Sequence, residues 1–384
     1  MNRPSASADP TATLSVVIPC FNEERTLARC LQRLLKIADH SLSLEILIVD
    51  DCSTDRSREI ARELATKYPN VRVLEHERNR GKGAALRTGF GSVHGDFVAV
   101  QDADLEYDPR DLKRLIEPLR RNEADVVLGS RFLSAGSRRV LYFWHAVANR
   151  FLTLISNMFT DLNLSDMETG YKVFRRGVIQ SLMLEEDRFG IEPELVAKIA
   201  HRRLRIFEMG ISYFARTYEE GKKIGARDAV RALYCIVRYN AHSAPVPIQF
   251  LVYLAIGGMS AVVNMLSFIA LYASGLSLTN AALTAFALAA AANYFLCIAI
   301  LFRHEARWRS PIQALVYAAL VGLAGLVDLG ITRGLVATGF SPVVAKALAA
   351  ALGVFLNFAG RRFLVFPEPG RGSWAAQVRS GEED

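Results

Sequence analysis

The 384-residue sequence predicts an α/β domain with helices on both faces of its sheet, followed by an all-α domain of four transmembrane helices. Two observations predict this. Charged residues dominate before Pro247 and apolar residues after it, so the two parts prefer different solvents. Short β-branched runs alternate with helical patterns from residue 14 to about 130, as buried parallel strands with crossover helices do.

Residues 1–13 are rich in Ser, Ala and Pro and lack the charged-then-apolar pattern of an export signal, so a disordered tail and a cytoplasmic first domain are expected. Strands are predicted at Leu14–Pro19, Glu45–Val49, Val71–Leu74 and Phe97–Val100. Ligands of such sheets sit at the carboxyl ends of strands. Here those ends carry Asn22 and Glu23, then Asp50 and Asp51, then Asp102 and Asp104.

Val140–Met158 has a helical period that is unusually apolar for a surface helix, which fits either core packing or a membrane surface. The α/β domain is expected to end near 226. Over 227–246 an amphipathic interfacial helix is expected, because Arg227, Arg231 and Arg238 share one side of Arg227–Asn240 and Val230, Leu233 and Val237 another, directly before an apolar run.

Four apolar stretches of roughly 18 to 25 residues then match the length needed to cross a bilayer. They run near Ile248–Ala273, Asn280–Phe302, Ile312–Gly334 and Val343–Gly360, within a domain over 247–366 that precedes a tail over 367–384. Arg303, Arg307, Arg309, Arg361 and Arg362 flank these stretches on one side, while 274–279 and 335–341 hold no Lys or Arg. The positive-inside rule then places both termini in the cytoplasm. A repeat at an offset of 64 pairs Gly258 with Gly322, Asn264 with Asp328, Asn293 with Asn357 and Phe302 with Phe366, as in a duplicated two-helix hairpin. Such repeats occur in transporters and in passive bundles. The clear intramembrane charges are Asp328, Arg333 and Lys346, and the last two lie near span ends where they can snorkel.

A net charge of +7 could signal nucleic acid, but no zinc-finger spacing, aromatic RNA motif or recognition-helix pattern is present. Much of the excess borders the apolar segments, so anionic lipid and phosphate ligands are the expected partners. The five cysteines lack CxxC spacing and read as reduced, buried thiols.

Asp102-Ala103-Asp104 follows Phe97–Val100, where two carboxylates can hold a divalent ion against a diphosphate. So many acids in one cleft of a basic protein repel unless a cation compensates them. Lys82 stands between Gly81 and Gly83, and two readings stay open: phosphate contact with close backbone approach, or a plain turn.

Specific motifs then accumulate: Pro19-Cys20-Phe21-Asn22-Glu23, Asp50-Asp51-Cys52-Ser53-Thr54-Asp55, Asn79-Arg80-Gly81-Lys82-Gly83, Asp102 to Glu106, Gly129-Ser130-Arg131 and Asp166 to Lys172. Together they resemble family-2 glycosyltransferases of the dolichyl-phosphate mannose or glucose synthase type, over nearly all of 14–225. The four-span region resembles a GtrA-like module. The resemblance implies a GT-A type nucleotide-sugar-binding domain, Mg2+ or Mn2+ as cofactor, and inverting transfer of a hexose from a GDP-mannose or UDP-glucose type donor to polyprenyl or dolichyl phosphate. It also implies the roles of individual residues. Pro19, Phe21, Asn22, Glu23, Asp50, Asp51, Lys82, Asp102 and Ala103 would contact the nucleotide sugar, with Asp51 on the base or ribose. Asp102, Asp104 and Glu106 would hold the metal, although the family often has Gln where Glu106 stands. Arg131, Arg139, Arg216 and Lys222 would meet the acceptor phosphate, Arg139 and Lys222 as the weaker candidates. Asp51 and Asp55 have a structural alternative as caps of the helix that follows them.

A polysaccharide synthase would carry Q-x-x-R-W near the end of the catalytic domain, and the sequence lacks it. The contrasting class is a lipid-linked-sugar flippase or membrane scaffold with a regulatory nucleotide domain. Homo-oligomerisation is left open.

Overall fold

The computed structural model describes residues 12–133, 142–214, 226–302, 310–360 and 362. They form two compact units that divide between Asn240 and Ala241.

The first unit holds one seven-stranded sheet of β1 (Ala12–Cys20), β2 (Leu42–Asp50), β3 (Val71–Glu75), β4 (Phe97–Val100), β5 (Val126–Ser130), β6 (Lys172–Arg175) and β7 (Ile206–Gly210). Its helices are α1 (Leu27–Leu35), α2 (Ser57–Lys67), α3 (Lys82–Gly91), α4 (Arg110–Leu115), α5 (Glu117–Arg120), α6 (Phe143–Thr160), α7 (Arg176–Ser181), α8 (Ile191–His201) and α9 (Ala226–Asn240). All four predicted strands lie within β1 to β4. Val16 to Ile18 and Ile46 to Val49 are wholly buried, which explains runs that are continuously apolar instead of alternating.

The strand order is β3-β2-β1-β4-β6-β5-β7. The four predicted strands pair in parallel as expected, β1 with β2 and β4, and β2 with β3, whereas β6, which lies beyond the predicted stretch, runs antiparallel to both β4 and β5. This reversal positions the site. Ala99 pairs with Val173 and Leu128 with Lys172, so the chain entering β6 arrives at the edge where β4 and β5 end. Residues 166–171 therefore meet the segments after β4 and β5, with Gly170 packed on Asp102 and Asp166 held by Arg131.

Helix α6 is amphipathic in an inverted sense. Its inward residues include Asn149, Thr153 and Ser156, whereas Phe143 is 69% exposed and Trp144 77%, with Phe151, Leu154 and Met158 also outward. Core packing therefore accounts for only one side of it. Helix α9, expected to stand apart, belongs to the first unit. Arg231 pairs with Glu186 at 2.7 Å, Arg238 with Glu185 at 3.1 Å, and the Tyr239 hydroxyl donates to Glu186. Val230, Leu233 and Tyr234 remain exposed on its other side.

The second unit holds α10 (Val246–Ala273), α11 (Leu278–Leu296), α12 (Ser310–Ala337) and α13 (Pro342–Ala359), with α11 continuing as a π-helical segment over Cys297–Phe302. These four helices coincide with the four apolar stretches. Val246–Ala273 and Leu278–Leu301 are, by length and composition, long and apolar enough to cross a membrane. The offset of 64 is visible in both hairpins. Gly275 and Gly339 turn the chain at φ of 94° and 96°, a left-handed backbone that glycine adopts without strain. Two residues later Ser277 and Ser341 each cap the next helix, accepting from Asn280 N and Val344 N. Asn293 donates to Ser260 at 3.0 Å, joining α11 to α10. Arg362 is buried and donates to Gln249 at 2.6 Å.

Candidate active site

Three segments form the first wall. After β1, Asn22 adopts φ of 55° and its side-chain oxygen accepts from Thr54 N at 2.8 Å, while Glu23 N donates to Ser57 Oγ at 2.7 Å. Asp55 accepts from Ser57 N and Glu24 N, which ties α2 to the loop after β1. Phe21 is left with more than a third of its surface exposed, a flat face on which a base could stack.

Asp50 and Asp51 do not face this surface. Asp50 is fully buried and pairs with Arg58 at 3.0 Å. Asp51 accepts from His76 Nδ1 at 2.7 Å, Arg80 N at 2.8 Å and Gly81 N at 2.6 Å. The His76 ring is held on its other side by Thr88 Oγ1 at 2.9 Å. The carboxylate expected to contact the base or ribose thus fixes the 76–81 loop in this structure. Gly81 and Gly83 also serve the chain itself. A Cβ on either would come within 2.4 Å or 2.2 Å of the carbonyl oxygens of Asp187 and Glu186, so only glycine lets that backbone pass.

The fixed loop delivers Lys82 to the centre of the site. Its ammonium lies 2.9 Å from Asp102 Oδ1 and 3.0 Å from Glu192 Oε1. Burial works against this charge, but the two carboxylates outweigh it and hold Lys82 well above the ordinary lysine value. Asp102 Oδ2 takes no hydrogen bond from a described residue and lies over Gly170, where a Cβ would approach to 2.5 Å. Asp104 Oδ1 accepts from Glu106 N at 3.1 Å. Glu106 itself turns away and accepts from the Tyr213 hydroxyl at 2.7 Å.

Among the described residues no three His, Cys, Asp or Glu side chains come together to hold a metal. Of the expected trio, Asp102 and Asp104 lie just beyond β4, while Glu106 accepts from Tyr213. Two carboxylates still fit a hexacoordinate ion that completes its shell on a diphosphate and water, and the open Asp102 Oδ2 gives it an oxygen.

The opposite wall is charged and buried. Arg131, 7% exposed, clasps Asp166 through Nε and Nη2, both at 2.7 Å, and its backbone N–H adds a third bond to the same carboxylate. Asn149 from α6 donates to Asp166 as well, and the guanidinium stacks over Tyr213 at 5.3 Å. Burial raises Asp166, but Arg131 beside it brings it below the usual carboxylate range. Two of the three guanidinium nitrogens of Arg131 grip Asp166, so the residue also orders this edge of the site where the acceptor phosphate is expected. Arg139, Arg216 and Lys222 lie outside the described residues.

Lys172 donates to the carbonyls of Met167 and Thr169, and burial lowers it to about 8. Glu168 is raised to about 7 by burial and by Glu192 nearby. Sequence reasoning missed Glu192 and the role of Glu168. The signal for Glu168 was present in the motif around residues 166–172; that for Glu192 was not, because an acid in the first turn of a helix reads as an ordinary dipole contact.

Comparison with known proteins finds matches to both parts of the chain. Residues 15–183 match the model of glycosyl transferase family 2, and residues 252–366 match that of the GtrA/DPMS transmembrane domain. The low-salt glycan biosynthesis hexosyltransferase Agl6 of Haloferax volcanii is 32% identical over 56% of this chain and 51% of its own length. The dolichol-phosphate mannosyltransferase of Pyrococcus furiosus is 28% identical over 59% of this chain and 64% of its own. The undecaprenyl-phosphate 4-deoxy-4-formamido-L-arabinose transferase of Edwardsiella ictaluri is 31% identical over 58% and 66%. The chain thus spans between half and two thirds of the length of these relatives. The chain thus joins a glycosyl transferase family 2 domain, matched over residues 15–183, to a GtrA/DPMS transmembrane domain, matched over residues 252–366.

Proposed function

We propose that this protein transfers a hexose from a nucleoside diphosphate sugar to a polyprenyl or dolichyl phosphate, with inversion and with Mg2+ or Mn2+. The observation that carries this reading is the placement of Asp102 and Asp104 just beyond β4, with Lys82 at 2.9 Å from Asp102, in a chain that also holds a GtrA/DPMS domain. Two of the relatives are named for lipid-phosphate acceptors, which supports the acceptor class.

Asp102 and Asp104 would hold the divalent ion, which supplies positive charge to the departing diphosphate. Phe21 would stack on the base, and Lys82 would add a second cation beside the diphosphate. The acceptor phosphate is anionic near neutral pH, so positioning and charge neutralisation dominate and no strong base is required. Its oxygen forms the new bond to the anomeric carbon as the bond to the diphosphate oxygen breaks, and the electron pair leaves with the nucleotide. Arg131, Arg139, Arg216 and Lys222 are proposed for the acceptor phosphate on the resemblance.

The test is transfer of radiolabel from GDP-mannose, UDP-glucose and UDP-N-acetylhexosamine to a short polyprenyl phosphate by purified protein, with each metal and with chelator. A mild-acid-labile lipid product should form from one donor and fall by about 100-fold or more in Asp104→Ala, the scale of losing a key electrostatic group. No product from any donor, with nucleotide binding intact, would favour the flippase or scaffold alternative.

A further inference from the structure

The wall beside Asp102 holds acceptor capacity that the chain leaves unused. Glu192, 6% exposed, gives Oε1 to Lys82, while its Oε2 is buried without a partner. Thr169 Oγ1 is buried and unpartnered too. Glu168 takes no hydrogen bond from any described residue; its Oε1 is buried, yet the side chain keeps partial contact with solvent. Native proteins satisfy nearly all such atoms, so three in one place point to a missing ligand. Their place is the donor site: Gly170 packs on Asp102 Oδ2, and residue 168 lies at most about 7 Å of chain away.

The ligand must donate hydrogen bonds. A phosphate here would face two carboxylates without a fork of cations, because Arg131 is engaged with Asp166 and Lys172 with backbone carbonyls. Hydroxyl groups carry the right chemistry, and a hexose attached to a diphosphate at Asp102 brings several. We propose that Glu168, backed by Glu192, is a specificity-determining residue that accepts hydrogen bonds from the hydroxyls of the donor sugar. This rests on the sugar-transfer reading above.

The experiment is calorimetric binding by the full-length protein in detergent, comparing GDP with GDP-mannose and UDP with UDP-glucose and UDP-N-acetylglucosamine. In the wild type one sugar nucleotide binds more tightly than its nucleoside diphosphate. Glu168→Gln should remove about ten- to a hundred-fold of that advantage, the worth of hydrogen bonds to a charged group, and leave the nucleoside diphosphate within about two-fold. Deoxy-sugar analogues should show less loss in the variant than in the wild type. Glu168→Asp, which keeps the charge, should be intermediate, and its melting curve checks the fold. An equal loss for sugar nucleotide and nucleoside diphosphate, no loss for either, or no sugar-dependent gain in the wild type would each overturn the proposal. Failure of transfer to every prenyl phosphate, with the sugar-dependent gain intact, would instead sink the acceptor reading and leave this one standing.

Discussion

At the scale of single residues, the chemistry of this protein is set by pairings between distant positions. Arg131 and Asp166 are 35 residues apart in sequence and bonded through three hydrogen bonds. The motifs containing each were legible, and the planar fork of Arg131 suggested a phosphate; nothing local says that Asp166 lies beside it. Removing one partner leaves a buried charge, so Asp166→Asn should lower stability by roughly 3–5 kcal/mol, and an Arg131→Met, Asp166→Leu double variant should recover much of it. Denaturant titration of the three variants checks this, and strictly additive losses would contradict it. Glu45 makes a second prediction at the opposite end of the sheet. Burial raises it, but hydrogen bonds from Ser15, His94 and Gly95 prevail and bring it from 4.5 to about 2. The folded state then binds fewer protons than the unfolded one between these values. The stabilisation is fully present above pH 4.5 and lost as pH falls toward 2. Glu45→Gln should flatten the dependence of the melting temperature between pH 5 and pH 3, and an unchanged slope would assign acid sensitivity to other groups.

At the scale of elements, β1 to β4 were legible because their apolar runs are bounded by polar turns, and Phe97–Val100 coincides with β4. Strand β6 was not, since Lys172-Val173-Phe174-Arg175 is too short for a period and begins with a buried lysine. Its reversal is nonetheless what brings residues 166–171 beside Asp102. Helix α6 shows another limit: periodicity located it, but its apolar side faces outward while Asn149 and Thr153 serve the site from within. Aromatic residues with one apolar face settle at the level of lipid headgroups. In nanodiscs, brominated lipids should therefore quench Trp144, and Trp144→Ser with Phe151→Ser should lower transfer to long-chain prenyl phosphates more than to short, soluble ones. Equal effects on both acceptors would restrict α6 to a folding role.

At the scale of the whole molecule, the shift in composition near Pro247 anticipated two units, which the chain forms on either side of Asn240 and Ala241. The duplicated hairpin was visible as spaced Asn and Gly residues, and the matching Gly275–Ser277 and Gly339–Ser341 turns give it a physical basis. Membrane orientation follows from charge and not from shape. Both turns hold no Lys or Arg, whereas Arg303, Arg307 and Arg309 fall between the second and third apolar stretches. If all four helices span, retention of positive charge on the cytoplasmic side predicts both turns outside and the arginines of 303–309 inside. Cys20, Cys30, Cys235 and Cys297 are buried, so a Cys52→Ser background permits labelling of introduced thiols. Leu276→Cys and Phe340→Cys should react with a membrane-impermeant maleimide on intact cells, and Arg307→Cys only after permeabilisation. The reverse pattern would invert the topology. Labelling of one turn but not the other would break the equivalence of the two hairpins, and with it the four-span arrangement.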